Sequence, residues 1–175
     1  MKTLVIVAHP HIEKSVINKR WIDALTGQVT IHQLYAAYPQ GTPINVAHEQ
    51  ALVEKHDRII FQYPLYWYAA PALLKEWIDS VFTDGWAYGA GGDAMVNKEI
   101  GVAVSCGGKE LEFSARGNQC HPLTTYLSVY DGIAAFARAR YIGFHAVYDT
   151  YNPQIQSMME ANCQEYIRFA TAPHN

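Results

Sequence analysis

The chain has 175 residues, half of them hydrophobic and 17% charged, with a formal net charge of −3 at pH 7. Such a composition excludes a disordered chain and leaves a globular protein long enough to bury a substantial core. The near-balanced charge offers no basic face for nucleic acid, and no apolar stretch is long enough to span a bilayer as a helix.

Residues 2–8 form a continuous apolar run rich in β-branched residues, as expected of a strand buried on both faces of a parallel sheet. The run is too short for a signal peptide and no small-residue cleavage site follows it. His9 and Pro10 end it, and Ser15 is the expected N-cap of a helix through about Thr26. Residues 29–34 read as a second strand. Residues 38–46 read as a loop broken by Pro39, Gly41 and Pro43, and residues 47–55 as a short helix. A third strand covers residues 58–63, with Pro64 as its stop. In the helix expected over residues 72–82, Leu73, Leu74, Trp77, Ile78 and Val81 recur at helical spacing, and Pro71 lies near the first turn. A glycine-rich stretch, residues 85–92, precedes a fourth strand over 99–104. Residues 105–122 form a long loop, of a length usually associated with function. A helix over 123–139 runs through Gly132, a fifth strand covers 141–148, and a last helix covers 155–170.

Strands and helices alternate without repeats or linkers. The expectation is a single domain over residues 1–175, an α/β doubly wound five-stranded parallel sheet with helices on both faces. Ligands of such sheets bind beyond the carboxyl ends of the strands, where strand order reverses. By position alone, that rule selects the loops at residues 9–18, 64–71 and 105–122. The three cysteines, Cys106, Cys120 and Cys163, have neither an even count nor metal-ligand spacing, which points to a reducing cytoplasm. The eight histidines are dispersed, and no metal is expected.

The first loop joins a strand to a helix, so its free N–H groups suit an anion, with Ser15, Asn18 and His9 as further donors. It carries neither a dinucleotide nor a P-loop glycine pattern and suits a single phosphate better than a pyrophosphate. The plainer alternative is a serine cap beside a turn histidine. In the second loop, Leu65, Tyr66, Trp67 and Tyr68 sit between Pro64 and Pro71, stiff enough for a planar ligand to pack on Trp67. Alternatively these aromatics fill core or an interface, which is the assignment of Trp77. In the third loop, Gly107 and Gly108 either bring exposed N–H groups close to a ligand or mark only a turn. Cys106 lacks a base and an orienting partner and reads as a small buried cysteine. His121 is a candidate proton donor or a solvated loop histidine.

Ala8-His9-Pro10, the run Pro64-Leu65-Tyr66-Trp67-Tyr68 with Pro71-Ala72-Leu73-Leu74-Lys75 and Trp77-Ile78-Asp79, and Gly85-Trp86-Ala87-Tyr88-Gly89 together resemble the flavodoxin-like NAD(P)H:quinone oxidoreductase family. The resemblance extends to its small bacterial members, ancillary subunits of potassium-efflux systems and general-stress quinone reductases. The resemblance implies a flavodoxin-like fold, a flavin (FMN, with FAD as the alternative), and NADH or NADPH as electron donor. It also implies two-electron hydride transfer to a quinone or other small redox acceptor, and a homodimer with active sites at the subunit interface. Carried over by position, His9, Ser15, Ile17 and Asn18 would hold the flavin phosphate. Pro64, Leu65, Tyr66 and Trp67 would contact the isoalloxazine and ribityl chain. Ser105, Cys106, Gly107 and Gly108 would line the ring's polar edge, where the glycine pair would stabilise the anionic reduced ring. The chain departs from the family at Ser105-Cys106, where Thr-Thr or Thr-x usually precedes the glycine pair, and at Phe113, where relatives often carry tyrosine. Gln119 or His121 stands in for the usual histidine, and residues 136–148 lack the Cys-Gly and Pro-Pro-Phe pattern. The alternative function is a regulatory flavoprotein subunit of a membrane potassium-efflux transporter, peripheral to the inner membrane.

Overall fold

The structure is a computed structural model that describes residues 1–174. Strands β1 (Thr3–Val7), β2 (Thr30–Gln33), β3 (Arg58–Pro64), β4 (Glu99–Ser105) and β5 (Arg140–Val147) form one sheet in the order β2-β1-β3-β4-β5. Every pairing is parallel. The apolar runs explain this arrangement: β1, β3 and β4 are buried along their whole length, which requires cover on both faces. Helices α1 (Val16–Leu25) and α6 (Ile155–Thr171) cover one face, packing Trp21, Met159 and Tyr166 on Val5, Ile60 and Ala103. Helices α2 (Leu34–Ala37), α3 (Val46–Glu54), α4 (Ala72–Val81) and α5 (Leu123–Phe136) cover the other around Leu4, Ile6, Phe61 and Val102.

The expected elements are present, with ends shifted by a few residues. Pro64 is the last residue of β3 rather than its stop. β1 pairs with β3 only as far as Gln62, so on that side the N–H that proline lacks has no partner strand. Helix α5 ends at Phe136, before residue 139, and Arg138 just beyond its cap takes a left-handed φ of 57°. The single turn α2 falls where no helix was expected.

Two buried charged clusters brace the sheet. Beneath the amino ends of β3 and β4, fully buried Arg58 donates Nε–H to Glu99 Oε2 at 2.6 Å. Its Nη atoms donate to the carbonyls of Phe169 (3.0 Å) and Ala172 (2.7 Å), and Arg140 binds the other oxygen of Glu99. On the opposite layer, Glu49 of α3 is 0% exposed and accepts from Tyr38 Oη (2.5 Å) and Trp77 Nε1 (2.7 Å). His32 Nε2 lies 3.0 Å from Glu49 Oε2. Burial pushes the Glu49 carboxyl up, but the contacts from His32, Tyr38 and Trp77 outweigh it and hold the group below the ordinary 4.5.

A depressed folded-state pKa means that this carboxylate stabilises the fold above pH 4.5, and that its contribution is lost as the pH falls through the lowered value. The melting temperature should therefore drop on acidification below pH 4.5, and that drop should be smaller in Glu49→Gln. Superimposable acid profiles for the two proteins would contradict this assignment.

Candidate functional site

The three selected loops leave β1, β3 and β4, which are neighbours in the sheet, so they emerge side by side at its carboxyl edge. Among the described residues, the backbone N–H groups of Val16, Ile17, Trp67, Tyr68, Gly107 and Gly108 have no acceptor. Exposed donors of this kind are satisfied by solvent or by a ligand.

In the first loop, Ser15 caps α1, its Oγ accepting from Asn18 N–H at 3.1 Å. That leaves the N–H groups of Val16 and Ile17 at the positive end of the helix dipole. His11 N–H donates to His9 Nδ1 at 3.1 Å, which places the proton of the neutral ring on Nε2, as a donor. Burial, then the neighbouring His11, lowers the His9 pKa and favours that neutral form. The Ile17 side chain is buried under the sheet, so Ile17 offers only backbone. Asn18 is also buried, and its Nδ2 donates to Ser105 Oγ at 3.0 Å. Gln62 Nε2 donates to the Asn18 carbonyl at 3.1 Å, and Tyr166 Oη donates to Gln62 Oε1 at 3.1 Å. The structure thus joins Asn18 and Ser105, expected at opposite ends of a ligand, directly to each other.

In the second loop, Leu65 N–H donates to the Ser105 carbonyl at 2.9 Å, joining this loop to the third. Tyr66 and Ala69 then exchange two backbone hydrogen bonds of 2.9 and 3.0 Å around Trp67 (φ 47°) and Tyr68 (φ 64°). Two consecutive positive φ angles are the signature of a type I′ turn, ordinarily Asn-Gly. Bulky residues in such conformations carry strain of roughly 1–3 kcal/mol each and concentrate at functional sites. Trp67 is 94% exposed, whereas Tyr68 stacks on Tyr126 at 4.6 Å. Partial burial, then the phenols of Tyr151 and Tyr35, pushes the Tyr66 pKa up. Trp77 is fully buried against Phe61, in the core as expected.

In the third loop, Cys106 is fully buried, and burial pushes its thiol up to about 12, so it is neutral and unreactive. A Cβ on Gly107 would lie 2.9 Å from the Tyr151 ring, and one on Gly108 would lie 2.8 Å from Gln119 Nε2. With a side chain at either position, Tyr151 or Gln119 would have to shift from where it now lies on the backbone. Tyr151 reaches Gly107 from the loop after β5, which is fastened by Asp149 N–H to the Gly108 carbonyl (2.9 Å) and Thr150 N–H to the Cys106 carbonyl (3.2 Å). Sequence reasoning passed over Tyr151. Its only signal was the turn-forming cluster Asp149-Thr150-Tyr151-Asn152-Pro153 just past a strand end. Of the two candidates for the usual histidine position, Gln119 lies on Gly108, while exposed His121 sits edge-on to Tyr126 at 6.0 Å. Phe113 is buried against Tyr126 and Tyr148. Among the described residues, no group of three His, Cys, Asp or Glu is placed to hold a metal, and no helix is long and apolar enough to cross a membrane.

The model of a family described by the flavodoxin-like fold matches residues 1–169. The uncharacterized NAD(P)H oxidoreductase YrkL of Bacillus subtilis is 42% identical over 152 residues, covering 86% of this chain and 87% of its own. The glutathione-regulated potassium-efflux system ancillary protein KefG of Pectobacterium atrosepticum is 38% identical over 149 residues, covering 84% of this chain and 81% of its own. The crystal structure of general stress protein 14 from Treponema denticola, in complex with FMN, is similar with a TM-score of 0.92 at 37% identity, covering 98% of this chain and 99% of that one. Family model, relatives and sheet order agree, and the chain belongs to the flavodoxin-like NAD(P)H oxidoreductase and quinone-reductase family.

Proposed function

We propose that this chain is a flavin-dependent NAD(P)H oxidoreductase that holds FMN across the carboxyl ends of β1, β3 and β4 and reduces quinone-type or similar small acceptors. The observation that carries this reading is the row of partnerless N–H groups on three adjacent loops beside the exposed ring of Trp67. An anion site at one end and a glycine-lined backbone at the other fit a ligand with one phosphate and a flat, polar-edged ring. The FMN held by the similar general stress protein 14 supports FMN over FAD.

In this reading the N–H groups of Val16 and Ile17, the Ser15 hydroxyl and His9 Nε2–H hold the phosphate. Asn18 acts from behind, through Ser105. Pro64, Leu65, Tyr66 and Trp67 form the wall for the ring and its chain. The N–H groups of Gly107 and Gly108 face its polar edge, where fixed dipoles favour negative charge. Cys106 packs beneath them as a neutral thiol. Bound FMN would supply two-electron hydride chemistry between NADH or NADPH and the acceptor. His121, exposed beside Tyr126, is the imidazole available to protonate a reduced acceptor.

The α4–α5 face carries a cavity of about 350 Å³ lined by Tyr63, Tyr68, Ala70, Tyr126, Val129 and Ile133, and Val129 and Phe136 are exposed beside it. A second copy of the chain covering this apolar face would make the homodimer. The identity to KefG favours a second role, as a regulatory flavoprotein subunit of a potassium-efflux transporter.

The purified protein should be yellow, release FMN on heating, and oxidise NADH or NADPH with a benzoquinone. Release of FAD alone would mean a longer crevice, and no flavin even after reconstitution would end this reading. Bound FMN without turnover would favour the regulatory role. Trp67→Ala should leave the melting temperature unchanged and weaken FMN binding by about 1–3 kcal/mol if the ring packs closely. Trp77→Ala should instead lose about 3–5 kcal/mol of stability, since it opens a cavity in the core. Equal behaviour of the two variants in melts and flavin titrations would overturn this division. Light scattering should give twice the monomer mass of 19.7 kDa, and the monomer value at micromolar concentration would rule out the dimer.

A further inference from the structure

We propose that Gln62 is a positioning residue that fixes the distance between the phosphate-accepting start of α1 and the glycine pair after β4. The proposal rests on the FMN reading above and assigns a role to a residue that touches neither end of the ligand. Gln62 is 0% exposed and lies on β3, beside the β1/β3 switch point, with its side chain on the α1–α6 face. Its Nε2 donates to the Asn18 carbonyl at 3.1 Å and lies 3.4 Å from Asn18 Oδ1, while its Oε1 accepts from Tyr166 Oη at 3.1 Å. Asn18 in turn holds Ser15 Oγ through its backbone N–H at 3.1 Å and Ser105 Oγ through its side chain at 3.0 Å.

The result is one buried chain of hydrogen bonds, from the cap of α1 through Asn18 to the end of β4, with Gln62 and Tyr166 fastening it to β3 and α6. An amide presents a donor and an acceptor side by side in one plane whatever the pH, as this position uses them. A leucine would leave the Asn18 carbonyl and the Tyr166 hydroxyl buried without these partners, and an ionised glutamate would keep the acceptor but lose the donor. The first turn of α1 would then be set by its cap and the single Asn18–Ser105 bond. A ligand gripped at both ends would register that change. A ligand gripped only at the ring would not.

The test compares FMN with riboflavin, which has the same ring without the phosphate, by fluorescence titration of the full chain. The variants are Gln62→Glu, Gln62→Leu and the double variant Gln62→Leu/Tyr166→Phe, which removes the orphaned hydroxyl and should recover part of the stability lost by the single change. In the double variant FMN affinity should fall by about tenfold or more, while riboflavin affinity stays within about threefold of wild type. Gln62→Glu should show the same selective loss at a pH where its carboxyl is ionised and cannot donate to Asn18, and less of it where the acid is protonated. Equal weakening of both ligands would make Gln62 a purely structural residue and overturn the proposal, as would unchanged affinity for both. A wild-type protein that binds FMN no more tightly than riboflavin would instead defeat the phosphate site itself, a result separate from any effect of Gln62.

Discussion

Parallel pairing is the constraint on which the rest of this structure depends. Because all five strands run the same way, their carboxyl ends share one edge, and the N–H groups just past that edge lose their ladder partners together. Winding outward from β1 to β2 and back to β3 parts the loops there and leaves a crevice instead of a packed seam. The turn before α1, the aromatic turn and the glycine pair each leave N–H groups without acceptors at that edge.

Those loops sit on a stiff floor. Gln62, Asn18 and Ser105 are buried polar groups whose hydrogen bonds join β3, α1 and β4, and a satisfied buried network admits few alternative arrangements. Above the floor, the turn at Trp67 and Tyr68 is strained and its indole projects from the surface. Rigid support beneath an exposed, conformationally costly aromatic is the arrangement expected where a site is held ready for a ring.

The fold was legible because its signals are local. The unbroken apolar runs at β1, β3 and β4 mark strands covered on both faces, and the spacing of Leu74, Trp77, Ile78 and Val81 marks the inward face of α4. The three loops followed from strand order. What escaped depends on contacts far apart in the chain. Nothing around Tyr151 says that it lies on Gly107, and nothing around Asn18 says that its amide is taken by Ser105. Likewise, Trp67-Tyr68 carries none of the Asn-Gly chemistry from which a left-handed turn is read. Nothing in the short helix expected over residues 47–55 marks Glu49 as buried, and only the assembled layer reveals Tyr38 and Trp77 closing on its carboxylate.

The bracing of Arg58 also bears on how the protein is made. Its guanidinium is fully buried, and its partners include the carbonyl of Phe169, 111 residues later. At roughly 5–20 residues per second, a ribosome needs about 6–22 s to span that interval, and throughout it the arginine on the central strand β3 lacks part of its shell. The lower edge of β3 and β4 is therefore completed by the last helix of the chain, whose carbonyls supply two of the acceptors around the arginine.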